Sequence, residues 1–504
     1  MTPTPIYITP SKLYAYLQCQ HRVWRDVYGP QVEKLKEANP FVEMLWEKGI
    51  QHEEKVVAKL GQLLDLSSGD KDDQLKQTLE AMKSKVPLIY HGYLRSKNLA
   101  GEPDLLRLQS DGTYTPIDIK SGRGMEGVSE EDDEPGKPKK HYAVQLALYS
   151  EILNDLGFAH EHTGIIYDID SIETVYNLDN PMGARTPTSW WNFYQTTKNE
   201  VTKLLANEVQ NNPALAGICK LCPWHDSCKH WSIENHDLST LFYLGRSTRT
   251  TLIDDLDIHK VEELEGVNIP QEMSKKKADK TYLKGIGEPT LSKLQKRAVI
   301  MAETKKPVIY SPLQFPKVQY ELYFDIEDDP TQNFVYLHGV YERTPRGERF
   351  LPFVATEKTA EAEEIAWKEF IDYVRSLPKD DWCLYYYSHH EKTTYKRMQK
   401  MYPDVISVEE LDSMFTPNHA IDLYSDCILK YTDWPLYSYS LKDIAKYLSF
   451  AWRDKTPSGA LSIQWFNEYL KDNDPAKLQR IIDYNEDDCK ATVVIKDFLQ
   501  KNSS

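Results

Sequence analysis

Two carboxylates on either side of a tight chain reversal constrain this sequence more than any other feature. The run Gly101-Glu102-Pro103-Asp104-Leu105-Leu106-Arg107-Leu108 is followed by the turn residues Ser110-Asp111-Gly112 and then by Tyr114 to Lys120. Apolar runs flanking an Asp-Gly pair predict a β-hairpin. With the turn centred near Asp111, Asp104 lies opposite Asp118, and Lys120, two residues further on, shares the strand face of Asp118. Two carboxylates at one end of a hairpin can hold Mg²⁺ or Mn²⁺ through oxygen ligands. A lysine beside them can position a water, and a bound divalent ion polarises a phosphodiester. The simpler alternative is a hairpin bearing two solvated acids.

Around that hairpin the chain is long enough for several cores. At 504 residues with 40% hydrophobic content, two to four domains are expected. The divisions read from composition are 1–235, 236–306 and 316–504, with Pro307, Pro312 and Pro316 marking the last linker. The first segment is mixed α/β and ends in a cysteine cluster. The second reads as short helices with tight turns, and the third opens with an alternating strand at Tyr320-Glu321-Leu322-Tyr323-Phe324-Asp325. There is no long-period repeat, although Leu244-Gly245-Arg246 reads as a degenerate relative of Lys284-Gly285-Ile286-Gly287. Met1 to Pro5 lead directly into a polar helix with no apolar leader, and no stretch reaches membrane-spanning length, so a cytoplasmic protein is expected. The net charge of −16 does not exclude a nucleic-acid partner, because phosphate meets the local field and metals neutralise clustered acids. The acidic run Glu130 to Glu134 reads as a solvated loop.

Pro103-Asp104 followed by Asp118-Ile119-Lys120 resembles the motif of the PD-(D/E)XK nucleases. Gly49-Ile50-Gln51-His52 resembles the glycine–histidine motif of the RecB type, which implies His52 as a further metal ligand. Gln145 and Tyr149, four apart on one helix, resemble its Q-x-x-x-Y element and are implied to contact DNA. Taken alone, His52 reads equally as a half-exposed helical histidine, and Gln145 with Tyr149 as ordinary packing.

Cys219, Cys222 and Cys228 form a compact triplet, and Cys19 is the only other cysteine of the first segment. Four thiolates accept either zinc or an iron–sulfur cluster, and in either case would clamp the two ends of the domain together. One distant cysteine followed by such a triplet resembles the iron–sulfur subset of RecB-type nucleases, including the CRISPR-adaptation exonucleases. That resemblance implies [4Fe–4S], with zinc as the alternative. Cys383, Cys427 and Cys489 sit in apolar stretches and read as core.

Lys275 to Lys306 carries ten Lys or Arg against three acids. Within it, Lys284, Gly285 and Gly287 precede a basic helix, an arrangement that brings backbone N–H groups to a phosphate. It resembles a helix-hairpin-helix DNA-binding element, the alternative being a helical connector with a solvated basic face. In the last segment, Asp325 and Glu327 share one face of a strand and can share a metal, while Tyr484 and Asp488 share one side of a helix. These pairs resemble the RNase H-like exonucleases of the DEDD class, tyrosine variant. The resemblance implies Asp325, Glu327 and Asp488 as ligands, with Tyr484 orienting the attacking water. That class expects an aspartate after the strand Trp382 to Ser388, and here His389-His390-Glu391 stands in its place. Glu391 is favoured as the middle acid over Asp422, which resembles a structural Asp-Leu. Ser438 to Lys442 and Gly459 to Ser462 also resemble elements of that domain, and read equally as a helix cap and a turn.

The expected whole is an α/β multidomain protein. It has a restriction-endonuclease-like core with a four-cysteine clamp, a small helix-hairpin-helix segment and an RNase H-like domain. That order resembles a bacterial family of RecB-like nucleases. It implies an Mg²⁺- or Mn²⁺-dependent nuclease, an exonuclease on single-stranded or end-bearing DNA, with any helicase a separate partner. The rival readings are a DNA-binding assembly protein whose RNase H-like half is not catalytic, and a nuclease acting on RNA.

Overall fold

The structure is a computed structural model that describes residues 6–36, 40–127, 136–183, 186–209, 211–456 and 458–502. The first five residues and the acidic run from Glu130 lie outside them. The chain divides into two compact units, one reaching Cys228 and the other running on from Lys229, apart from short exchanged pieces. Among the described residues no helix is long and apolar enough to cross a membrane.

The first unit opens with helices α1 (Pro10–Gln18), α2 (Gln20–Tyr28) and α3 (Pro40–Val57). Its sheet comprises β1 (Leu64–Asp65), β2 (Leu88–Tyr90), β3 (Leu105–Leu108), β4 (Tyr114–Ile119), β5 (Thr163–Tyr167) and β6 (Glu173–Asn177), side by side in chain order. β2, β3 and β4 run antiparallel, while β4 and β5 are parallel, joined by the crossover helix α4 (Lys140–Asp155). The predicted hairpin forms at β3 and β4. Gly112 adopts φ +88°, and Asp111 accepts from Thr113 N at 2.9 Å. Leu105 pairs with Ile117, so Asp104 falls opposite Asp118. Helix α4 buries Tyr142, Val144, Leu146, Leu148, Ile152 and Leu153 against this sheet and the N-terminal helices. The backbone at Gly101 passes so close to Tyr149 that a Cβ would lie 2.5 Å from its ring.

The second unit begins with three short helices, α5 (Arg246–Leu256), α6 (Ile269–Ala278) and α7 (Glu288–Val299), around a core of Leu241, Leu252, Leu264, Leu283, Leu291 and Leu294. The weak internal likeness seen in the sequence has a backbone counterpart. Leu244 N donates to Leu241 O at 3.1 Å and Ile286 N to Leu283 O at 2.9 Å. Tyr243 and Gly285 take φ +64° and +81°, and Gly245 and Gly287 stand immediately before α5 and α7. The two turns share these features, the first without the glycine that the left-handed position favours, but they differ where Leu241 is extended at φ −76° and Leu283 left-handed at φ +45°.

The rest of the unit carries a five-stranded sheet in the order Gly347–Val354, Phe334–Thr344, Tyr320–Asp329, Trp382–Tyr386, Ala420–Asp422, here β9, β8, β7, β10 and β11. β7 is antiparallel to β8 and parallel to β10. An alternating strand was expected at Tyr320, but burial along β7 is nearly continuous. It is the central strand and is covered on both faces, as parallel pairing requires. Helix α8 (Ala360–Arg375) packs on one face, and the long α9 (Pro475–Asn502) crosses β7 and β8. α9 approaches most closely at Gly339, which pairs with Asp325 and faces Asn485.

A Cβ at Gly339 would lie 1.6 Å from Asn485 Oδ1 and 3.0 Å from the Phe350 ring. Gly339→Ala is therefore expected to lower the thermal midpoint, at a cost of roughly 1–3 kcal/mol. Gly459→Ala, in open space at a helix start, is the control and should leave it unchanged. Equal midpoints for the two variants would contradict the close approach.

Candidate active sites

In the first unit, Asp104 and Asp118 are brought side by side by the hairpin register, and Lys120 Nζ lies 3.2 Å from Asp118 Oδ2. Asp118 is fully buried, and apart from the Lys120 ammonium no donor reaches its oxygens. Asp104 Oδ2 accepts one from Ile119 N at 2.6 Å. Burial, and next the charge of Asp118, push the Asp104 carboxyl up to about 7. Burial works against the Lys120 ammonium, but Asp118 and Asp104 hold it above its ordinary value. One lysine thus faces two carboxylates, leaving an excess of buried negative charge and oxygen atoms without donors. That donor set suits a hard divalent cation.

The sequence reading missed two residues here. Glu53, His91 and Asp104 offer ligand atoms within 4.8 Å of one another. His91 Nε2 lies 3.0 Å from Glu53 and Nδ1 3.2 Å from Glu102, and those two hydrogen-bonded carboxylates raise its pKa to about 10. It is therefore held charged at neutral pH. Extending the hairpin register one strand back would have found it, since Tyr90 pairs with Leu105 and His91 N donates to Asp104 O at 3.0 Å. His52 is placed elsewhere: its Nε2 is 3.0 Å from the Asp168 carbonyl, and it is its neighbour Glu53 that approaches Asp104. Gln145 Nε2 donates to Tyr149 OH at 3.2 Å, and Tyr149 OH donates to the Glu102 carbonyl at 3.1 Å. Tyr149 is buried, so its hydroxyl braces the Glu102-Pro103-Asp104 segment, and both residues line a cavity of about 440 Å³ with Tyr14, Tyr93 and Glu102.

Cys19, Cys219, Cys222 and Cys228 lie in this unit, Cys19 between α1 and α2, Cys219 in a 3₁₀ turn, Cys222 just after it, and Cys228 in the first turn of the helix His225–Glu234. Burial, and then their mutual charge against a nearby arginine, push the Cys228 thiol up to about 11 and raise Cys222 as well. They form no group within 4.8 Å among the described residues. Arg25 is buried over the Trp224 ring at 4.5 Å with its Nη2 paired to Glu33, and its charge favours the Cys228 thiolate. An arginine that lowers the Cys228 thiol is compatible with a thiolate-ligated group there. Cys383, Cys427 and Cys489 are buried.

In the second unit, Asp325, Glu327 and Asp488 present oxygens within 4.8 Å of one another. Burial comes first, and Asp488 second, in raising Asp325 well above the carboxylate range and Glu327 to about 8. Asn485 Nδ2 donates to Asp325 Oδ2 at 2.7 Å, Trp452 Nε1 donates to Asp488 Oδ1 at 2.6 Å, and Ser462 hydrogen-bonds Glu327. Of the two candidate middle acids, Glu391 is buried in the first turn of the helix His390–Met401, raised by burial to about 7, and its charge acts on Asp325. Asp422 instead caps the following turn, accepting from Ser425 N at 3.0 Å with His389 Nδ1 3.2 Å away. Tyr484 is buried beside the acids, and Lys442 Nζ donates to its hydroxyl at 2.6 Å. Lys442 also draws the three carboxyls downward, and it is the residue the sequence reading left as part of a helix cap. Ser440 does cap that helix, Leu441–Tyr447, which is what aims Lys442 at the site. Lys284 and Gly285 are exposed at the second hairpin turn, whose carbonyls at Leu283 and Ile286 accept from Lys276 Nζ, and Gly287 precedes α7.

With that geometry in hand, comparison with known families places residues 8–229 in the PD-(D/E)XK nuclease superfamily and residues 322–500 in the RNase H superfamily. No curated protein matches the chain. Both matches are to nuclease superfamilies, which supports a nuclease acting on a nucleic acid.

The raised carboxyls predict a pH dependence of stability. A carboxyl whose pKa rises on folding keeps its proton where the unfolded chain has lost it. Its stabilising contribution is complete below the ordinary carboxylate range and is lost as pH rises through the folded value. With Asp104 and Glu391 near 7 and Glu327 near 8, the loss begins as the pH leaves the ordinary carboxylate range, about pH 4, and is complete once the pH passes those folded values. In chelator, the thermal midpoint should fall from about pH 5 to about pH 8 and level off above that, and Mn²⁺ should raise it again. A chelated protein carrying Asp104→Asn, Glu327→Gln and Glu391→Gln should lose most of the response. A wild-type midpoint indifferent to pH and to Mn²⁺ would contradict the charge imbalance.

Proposed function

We propose that this protein is a divalent-metal-dependent deoxyribonuclease of the RecB type that degrades single-stranded ends. The observation that carries the reading is that each nuclease-superfamily domain buries an acid cluster its own cations do not balance. Asp104 and Asp118 would hold Mg²⁺ or Mn²⁺ in the first site, and Asp325, Glu327 and Asp488 in the second, with Glu391 as the nearby fourth acid. Such ions supply Lewis-acid polarisation of the phosphodiester and lower the pKa of water.

The protein's own groups supply the rest. Lys120, held charged against Asp118, orients water and meets negative charge developing on the phosphate. Tyr149 and Gln145 fix the segment that carries Asp104. At the second site Tyr484, buried and bonded to Lys442, orients the attacking water, while Asn485 and Trp452 keep two carboxylates in place. The preference for DNA rests on the RecB-type resemblance and on the exposed Lys284-Gly285 turn, read as a helix-hairpin-helix element that takes backbone phosphate. Cys19, Cys219, Cys222 and Cys228 are assigned a [4Fe–4S] cluster on the same resemblance, with which the buried Arg25 beside them is compatible.

Labelled single-stranded DNA should be degraded with Mg²⁺ or Mn²⁺ and not in chelator, and faster than RNA of the same sequence. Lys120→Ala and Asp325→Ala should each slow their own site by about 100-fold or more. Activity untouched by both changes would sink the assignment, and a preference for RNA would redirect it. The cluster assignment predicts a coloured anaerobic preparation containing iron and acid-labile sulfide, both lost in Cys222→Ser. A colourless protein with stoichiometric zinc would overturn it.

A further inference from the structure

Arg297 counts among the cations of the basic segment, yet it is only 3% exposed and unavailable to a phosphate backbone. Its Nε donates to Asp433 Oδ1 at 2.6 Å and its NH1 to the Phe242 carbonyl at 2.7 Å. Asp433, equally buried, also accepts from Tyr310 OH at 3.0 Å. The Phe242 ring stacks on Tyr439, with centroids 3.7 Å apart and 21° between planes. Phe242 lies at the tip of the first hairpin turn, between Leu241 and the left-handed Tyr243, whose hydroxyl meets that of Tyr424. The second hairpin turn carries the exposed Lys284 at the corresponding place.

Tyr439 is where two arms of the RNase H-like site meet. Its carbonyl accepts from Tyr387 OH at 2.7 Å, and Tyr387 leads directly into Ser388, whose hydroxyl donates to Glu391 at 3.2 Å. Its next residue, Ser440, caps the helix that carries Lys442, and Lys442 donates to Tyr484 OH at 2.6 Å. Its own hydroxyl is tied back to Trp434, accepting from the backbone N at 2.7 Å. A shift of the backbone at Tyr439 would move the turn leading to Glu391 and the helix carrying Lys442 together.

From this chain of contacts we propose that the first hairpin turn is a positioning element of the RNase H-like site: Phe242, seated by Arg297 and Asp433, sets Tyr439, which aligns Lys442 on Tyr484 and the turn bearing Glu391. Of the two turns, one braces the catalytic domain and the other is left open at the surface. The role rests on the reading of that domain as catalytic, because positioning has meaning only where Asp325 supports turnover.

The test uses full-length protein carrying Lys120→Ala, so that turnover reports the second site alone. Phe242→Leu keeps a buried apolar side chain and removes the stack. It should lower kcat by roughly 10- to 100-fold with KM within about twofold, because misplacement costs rate and leaves strand binding intact. Phe242→Tyr, which keeps the ring, should restore it. Lys442→Met should lower kcat at least as far, and adding Phe242→Leu to Lys442→Met should cost little more, since both act along one path. Effects that multiply, a change confined to KM, or no effect of Phe242→Leu would each overturn the positioning role. If the Lys120→Ala protein shows no Asp325-dependent turnover, the catalytic reading of the domain fails and this role falls with it. That outcome is distinct from Asp325-dependent turnover that ignores Phe242.

Discussion

Buried carboxylates without enough positive charge of their own govern both halves of this protein. Asp118 is wholly enclosed with the Lys120 ammonium as the one donor near its oxygens, and Asp325, Glu327 and Asp488 are drawn together under the long C-terminal helix. Burying like charges so closely is strongly unfavourable unless protons or cations intervene. At the first site Lys120 faces Asp104 and Asp118 while the charged His91 is already held by Glu53 and Glu102, and at the second Lys442 faces Asp325, Glu327 and Asp488, so the acids outnumber the cations in both. A metal-free chain meets the shortfall by retaining protons, which is why Asp104, Glu327 and Glu391 sit near or above neutrality. Perturbation of this kind is typical of sites built for chemistry.

The two sheets reach this arrangement differently. In the first, an antiparallel hairpin sets Asp104 against Asp118 by register alone, and the parallel crossover then covers the pair with Tyr149. In the second, one central strand carries Asp325 and Glu327, and a helix from the far end of the chain brings Asp488, Asn485 and Tyr484. Gly339 on the neighbouring strand is what lets that helix come close. Neither site depends on a loop alone. Each acid cluster sits on a strand end or helix turn whose place is determined by core packing, the arrangement that best holds reacting groups in register.

How much of this was legible in the sequence follows from how local each feature is. The hairpin, the order of α/β, helical and α/β segments, and the pairs Asp325–Glu327 and Tyr484–Asp488 depend on turn chemistry and strand or helix period, which a sequence displays directly. Glu53 and His91 were missed because they reach Asp104 from a separate helix and from the next strand, where only the sheet order brings them in. Lys442 hid behind an ordinary helix cap, since nothing in Ser440-Leu441-Lys442 tells which way that helix is aimed. Arg297 was counted with the basic surface because burial of a charge is invisible until its partner, Asp433, is known. The near-continuous burial of Tyr320–Asp329 was unreadable for a related reason: alternation reports a half-covered strand, and this one is covered on both faces.

Diffraction from crystals grown with Mn²⁺ tests the central claim most directly, because anomalous scattering locates the ion without reference to activity. The account predicts one peak between Asp104 and Asp118 and another among Asp325, Glu327 and Asp488, each lost when its aspartates are replaced by asparagine. Manganese at neither position, with the acid clusters instead closed by lysine or by hydrogen-bonded protons at alkaline pH, would contradict it.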